Sequence, residues 1–322
     1  MSHNLPHVTG SRWPAPAKLN LFLHVTGRRS DGYHTLETIF QFLDLADEVM
    51  LRVRGDGQIR RVTDLADVPA EEDLVVRAAR ALKSKVATPL GVDIGITKRI
   101  PMGGGLGGGS SDAATTLVGL NQVWKLGFDV EALSEIGLTL GADVPVFVRG
   151  KASFASGVGE HLTPIVVLEE PWYLVIYPGC SVPTKEVFGA PNLTRHTPPL
   201  KMRPLPNAGT GSTHGETSLL VLSSLLSQTG NDCEPVVRAR YPQVDAALEW
   251  LSEFSTPRMT GTGSCIFAPF QQAQEAERVL SLLPNTGEIA NEEKEAPKVG
   301  WLGFVTRGRN QSLLRSSLQN LD

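Results

Sequence analysis

Between Pro101 and Ala114 the chain reads PMGGGLGGGSSDAA, with six glycines in the seven residues from Gly103 to Gly109. Ordering that many glycines is entropically costly, so the stretch is a poor choice for mere connection. Without Cβ atoms its backbone N–H groups can close on a ligand. Gly91 to Ile100 alternates Val92, Ile94 and Ile96 and reads as a strand. After the glycines, Ala113, Leu117, Leu120 and Trp124 mark the buried face of a helix starting near Ser110 or Ser111. A flexible linker is the plain alternative, but linkers rarely stand between a clear strand and a clear helix. A glycine loop feeding a helix N-terminus makes an anion site suited to phosphate. Ser110 and Ser111 add hydroxyls able to bind phosphate oxygens or a magnesium ion.

The known phosphate loops narrow the choice. A P-loop needs GxxxxGK[ST], and no lysine follows these glycines. Gly103, Gly105 and Gly108, with Asp129 further on, formally match a dinucleotide fingerprint. The strand before them alternates polar and apolar residues, however, unlike the apolar strand of a doubly wound sheet. A protein-kinase glycine loop needs HRD and DFG partners, and neither tripeptide occurs.

The 322 residues allow two packed domains. A net charge of −4 offers no broad attraction for nucleic acid or an anionic membrane. Cys180, Cys233 and Cys265 form no CxxC, so reduced thiols in a cytoplasmic protein are expected. The first residues carry no signal-like apolar run, and no later stretch is apolar enough to span a membrane.

Ala17 to Val25 alternates with a period of two and predicts a strand with one polar face. Thr38 to Val53 predicts more strand, broken near Asp44 to Glu48. Helices are predicted over Asp73 to Lys85, capped by Asp73, and after Asp129, which also caps, ending at Gly141. In the second half, Trp172 to Tyr177 reads as a strand, and Arg258 to Phe270 as strand–turn–strand. Ser218 to Ser227, Val244 to Phe254 and Gln272 to Leu282 read as helices. Gly189 to Gly215 reads as a long surface loop and Pro284 to Lys298 as an exposed, charged insertion. The mixture predicts an α+β architecture with largely antiparallel sheets.

Three separated segments then carry a resemblance: PAPAKLNLFLHVTGRRSDGYHTLETIFQFLDLAD, PMGGGLGGGSSDAA with LGADVPVF, and TGTGSC. Spanning Pro14 to Cys265, they identify the chain as similar to the GHMP kinases, the superfamily of galacto-, homoserine, mevalonate and phosphomevalonate kinases. The first segment resembles the branch that acts on a cytidine diphosphate sugar alcohol in non-mevalonate isoprenoid synthesis. The resemblance implies an N-terminal ATP-binding domain over 10–165, a C-terminal domain over 166–318, and an active site in the cleft between them. It implies ATP and Mg2+ as cofactors and phosphorylation of the 2-hydroxyl of diphosphocytidyl methylerythritol. The expected protein is cytoplasmic, a monomer or weak homodimer, with no nucleic-acid or membrane partner.

The same resemblance distributes roles. Asp143, which read alone is a turn or cap residue, becomes the base that takes the acceptor's proton, and Lys18, otherwise a solvated lysine, its electrostatic partner. Lys98, Pro101, Gly103, Gly104, Gly105, Leu106, Gly107, Gly108, Gly109, Ser110 and Ser111 are assigned to ATP. Tyr33 is assigned to stack on the cytosine, His34 to hydrogen-bond to it, and Phe188 to cover its other face, with a core phenylalanine as the rival reading. Asn20 and Thr184 are assigned to the sugar alcohol or diphosphate, and Thr260 to Cys265 to a backbone wall near the phosphates. No protein metal ligands stand out. Asp73 departs from the family's usual Asn, which puts its adenine contact in doubt, and Asp112 is expected to face away from phosphate or to meet the metal.

Three other readings stay open at this level: a homoserine- or mevalonate-type kinase, and, outside kinases, a dinucleotide-dependent oxidoreductase or a non-catalytic nucleotide-binding protein.

Overall fold

The computed structural model describes residues 10–65, 68–165, 167–200, 221–284 and 300–319. The chain opens with two long strands, β1 (Ser11–Arg28) and β2 (His34–Arg54), then β3 (Ile59–Arg61), α1 (Leu74–Lys83) and β4 (Gly91–Thr97). Next come α2 (Gly108–Val123), α3 (Val130–Leu138), α4 (Val144–Arg149), β5 (Ser153–Ser156) and β6 (His161–Pro164). The second half holds β7 (Trp172–Tyr177), α5 (Thr184–Gly189), α6 (Leu222–Gln228), α7 (Glu234–Arg240) and α8 (Pro242–Ser252). It closes with β8 (Arg258–Met259), β9 (Ile266–Phe270), α9 (Ala273–Ser281), β10 (Leu302–Arg309) and α10 (Leu313–Gln319).

Pairing is antiparallel throughout the described strands except between β3 and β4. The strand order β3-β4-β2-β10-β7-β9-β8 makes β10 the join between the halves, since it pairs with β2 on one side and β7 on the other.

β2 runs unbroken through Asp44 to Glu48, where a break was expected. Each acidic side chain there has a cation on a neighbouring segment: Asp44 binds Arg309 at 2.7 Å, Asp47 binds Lys98, and Glu48 binds Arg12. A polar run that reads as a break stays strand when its charges are answered across the sheet.

From Ala17 to Val25 β1 is buried on both sides, its polar face of Lys18 and Asn20 included. Trp13 and Ala15 join the core formed with α1 to α4. Leu19, Leu21 and Phe22 join a central core with Tyr173 and Phe267, while Leu23 and Val25 join the core under α7, α8 and α9. Leu314 of α10 packs back into the first core. Each half therefore lends a segment to the other, which fixes the walls of the cleft between them. Of the stretch read as a surface loop, residues 190–200 carry no helix or strand yet are tied down: Thr197 N–H donates to Val25 at 3.1 Å, and Leu193 is buried. Residues 201–215 and 285–298 lie outside the described residues.

Candidate active site

The loop after β4 enters α2 through Gly107, a left-handed N-cap with no side-chain cap. The first intrahelical bond is donated by Ser111 N–H to Gly107 at 2.9 Å. The N–H groups before it are therefore left for a ligand, at the positive end of a 16-residue helix. A second glycine turn supports the loop, because Cys265 N–H donates to the Gly104 carbonyl at 3.0 Å. Contact is too close for a side chain at Gly105: a Cβ there would sit 2.4 Å from the Thr260 carbonyl, on a φ of +78°. Cys265 itself is sealed, and burial pushes its thiol pKa up, as suits a packing residue.

β1 delivers Lys18 to the loop's inner side. Its backbone N–H donates to the Leu106 carbonyl at 3.0 Å, and its Nζ donates to the Gly105 carbonyl at 3.0 Å and to Asn20 Oδ1 at 2.5 Å. The same Nζ lies 3.5 Å from Asp143 Oδ2 and 5.4 Å from the centre of the Phe40 ring. Asp143 occupies the N-cap position of α4, yet its carboxylate caps nothing. The lysine is buried and the carboxylate side chain is 38% exposed, so the pair has one sealed and one open end. Asn20 is buried, with its amide donating to Thr38 at 2.9 Å, so both ends of its side chain serve the protein.

Lys98, at the end of β4, bonds to both Asp47 and Asp112. Asp47 is further held by the N–H groups of Arg99 at 2.5 Å and Ile100 at 2.8 Å. Asp112 has only the ammonium, at 2.8 Å, and its other oxygen is buried without a partner. One cation between two carboxylates leaves the less supported one as the proton acceptor: burial, against the pull of Lys98, raises the Asp112 pKa to about 7. For Lys98, burial opposes the cation, but the two carboxylates outweigh it and its pKa is raised. Asp112 thus lines the cavity and meets a lysine, where facing away or meeting a metal was expected. Asp73 caps α1 through Val75 N–H at 3.0 Å and pairs with Arg61 at 2.7 Å.

On the opposite wall, His34 stacks on Phe188 with ring centres 5.1 Å apart and an interplanar angle of 20°. Tyr33 stands exposed at the rim. Thr184, at the start of α5, shares a 2.9 Å hydrogen bond with Thr262 of the second glycine turn.

A single cavity of about 1120 Å³ joins these walls. Every residue assigned to catalysis, ATP or substrate lines it except Ser111, which is fully buried with an unpartnered hydroxyl, and of the Thr260–Cys265 wall only Gly261 and Thr262 reach it. Neighbouring helical residues point about 100° apart, and here Ser110 faces the cavity while Ser111 turns inward. Asp129 caps α3 through Ala132 N–H at 2.8 Å, which removes it as a ribose ligand. Among the described residues no cluster of three or more His, Cys, Asp or Glu could hold a metal ion.

Models of the GHMP kinases N terminal domain and the GHMP kinases C terminal domain match residues 73–151 and 217–289. A 4-diphosphocytidyl-2-C-methyl-D-erythritol kinase of Pseudomonas savastanoi pv. phaseolicola is 51% identical over 308 residues, covering 96% of this chain and 95% of that protein. The chain belongs to the 4-diphosphocytidyl-2-C-methyl-D-erythritol kinase family. A crystal structure of a 4-(cytidine 5'-diphospho)-2C-methyl-D-erythritol kinase superposes with a TM-score of 0.71 at 30% identity, covering 92% of this chain and 99% of that one. A Cytophaga hutchinsonii homoserine kinase shares the fold, with a TM-score of 0.65 over 97% of this chain and 98% of that one, but only 17% identity.

Membership of this kinase family sets aside the oxidoreductase reading. The site also contains residues that sequence reasoning missed. Asp47 sat in what read as a break in the strand, and Arg195 in what read as a loop. Arg195 donates to His34 Nε2 at 3.1 Å and to the carbonyls of Phe188, Ala190 and Leu193 at 3.0, 2.7 and 3.1 Å. A lone arginine among prolines and threonines carries no periodic signal that could have marked it.

Proposed function

We propose that the protein transfers the γ-phosphoryl group of ATP to the 2-hydroxyl of 4-diphosphocytidyl-2-C-methyl-D-erythritol. Family membership supports the reaction, and one geometric fact carries the mechanism: the Lys18–Asp143 pair stands at the glycine loop, in a cavity that also reaches His34 and Phe188.

In this reading Asp143 takes the proton of the acceptor hydroxyl as the new O–P bond forms and the bond to ADP breaks. Lys18 faces both the carboxylate and the oxygen that becomes negative. The N–H groups of Gly103 to Ser110 hold the phosphate oxygens, so that charge shifts toward fixed dipoles instead of reorganising water. Most of the acceleration then comes from alignment and charge stabilisation, with the proton transfer contributing about 10²–10⁴-fold. Lys98, Asp112 and Asp73, beside the apolar Leu74 and Ile96, make the adenine end of the cavity. Tyr33, His34 and Phe188 receive the cytosine, and Thr184 and Asn20 flank the diphosphate or sugar alcohol.

Mg2+ is ordinarily held by phosphates and one or two carboxylates, not by a protein cage. The Ser110 hydroxyl, lining the cavity at the start of α2, fits that modest requirement beside the phosphates. When bound, Mg2+ supplies charge neutralisation of the phosphates.

The same reading divides the chain into an ATP-binding unit over 10–165 and a second unit over 166–318, exchanging the segments described above. It makes the protein a cytoplasmic monomer or weak homodimer, and the net charge of −4 supports a small-molecule partner over nucleic acid. ATP turnover measured with diphosphocytidyl methylerythritol, homoserine and mevalonate tests the substrate. Turnover of the first alone is expected, and appreciable turnover of only the other two would sink the assignment.

A further inference from the structure

Arg195 has four of its N–H directions committed: three carbonyls of the 188–193 segment and the imidazole of His34. A guanidinium in a protein stays protonated and can only donate. The ring nitrogen it meets, His34 Nε2, must therefore be the bare acceptor, which leaves the ring proton of neutral imidazole on Nδ1. Ordinarily a tautomer is an assignment, but here the partner allows one choice. Burial first, then the charges of Arg195 and Arg28, lower the His34 pKa, so the neutral ring prevails near neutral pH. The ring is clamped on its face by Phe188 and lines the cavity. No hydrogen bond to Nδ1 comes from the described residues, and that atom is not sealed from solvent.

We infer that Arg195 is a specificity-determining positioning residue: by holding His34 as the Nδ1–H tautomer, it makes this wall a hydrogen-bond donor that accepts cytosine and rejects uracil. The inference rests on the proposal that His34 meets the base. Neutral cytosine offers a bare N3 acceptor on its pairing edge, where uracil carries N3–H. Opposite a fixed Nδ1–H, uracil sets donor against donor and leaves both buried polar groups unpaired. Mismatches of that kind separate substrates far more sharply than a change of shape does. The same guanidinium ties down the chain following Phe188, so the stacking ring and the donor are set by one side chain.

Two measurements test this. Long-range ¹H–¹⁵N correlation on the full-length, histidine-labelled protein reads the tautomer directly. His34 protonated at Nδ1 and bare at Nε2 is expected, and a proton on Nε2 overturns the inference whatever the substrate. Second, kcat/KM is compared for the diphosphocytidyl substrate and its diphosphouridyl counterpart, in the wild type and in Arg195→Gln. A glutamine amide can donate or accept, which frees the tautomer. The cytidine-to-uridine preference should fall by roughly tenfold or more, with KM for ATP unchanged. A purely structural role would weaken both substrates equally and keep the ratio, and that result overturns the inference. If Arg195→Gln does not fold, the wild-type tautomer decides alone. Turnover of neither nucleotide compound by the wild type removes the base reading and this inference together. Good turnover of the cytidine compound with an Nε2–H ring removes this inference only.

Discussion

Lys18 Nζ lies 3.5 Å from Asp143 Oδ2, where the first strand, the glycine loop and the start of α4 converge. Replacing Asp143 by Asn removes the proton acceptor and the charge facing Lys18, but no helix cap, and the amide can still stand beside the ammonium. Turnover should fall by about 10²–10⁴-fold. ATP affinity by calorimetry and the melting temperature should stay near wild type. A folded variant with near-normal turnover would take Asp143 out of the base role.

Lys18→Met should lose both activity and stability. The ammonium also donates to Gly105 and Asn20, and a buried acceptor left unpaired costs about 1–3 kcal/mol. Because Lys18 and Asp143 act on the same proton transfer, the double variant should be little slower than the worse single one. Multiplying rate losses would mean that the two act independently.

Gly105→Ala places a Cβ 2.4 Å from the Thr260 carbonyl on a φ of +78°. We expect a loss of roughly 1–3 kcal/mol in chemical denaturation, together with weaker ATP binding. Gly109→Ala is the control, because its Cβ would meet only Leu74 at 3.6 Å.

Asp112 makes stability fall with rising pH. Its pKa is raised by burial from 3.8 to about 7, so the folded chain holds a proton that the unfolded chain releases. The stabilising protonated form is fully present below pH ~4 and is lost as pH rises through about 7. Asp112→Asn should flatten that part of the stability–pH curve, read from denaturation midpoints at a series of pH values. An unchanged slope would assign the titration elsewhere.

Much of the fold was legible because its signals are local. Asp73 and Asp129 both cap as predicted, and the Trp172–Tyr177 strand has the expected bounds. The helix after the glycines buries Ala113, Leu117 and Leu120, starting slightly earlier than expected at Gly108. The short helices α4, α5 and α7 escaped because six or seven residues hold too few turns for a period to show. β10 escaped because its role is to join two sheets, which no alternation within eight residues can reveal.

What the sequence determined by itself was the chemistry of the phosphate end: a run of glycines has few uses, and a helix start next to it has only one strong electrostatic consequence. What only the tertiary structure decided was which charges answer which. Lys18 reads as a surface lysine until the strand carrying it is buried on both sides, and Asp47 reads as part of a strand break until Lys98 reaches it. Arg195 is anonymous until it meets His34. Backbone preferences act between neighbours in sequence, whereas charge pairing and hydrogen-bond direction act across space, so they exist only once the chain has folded.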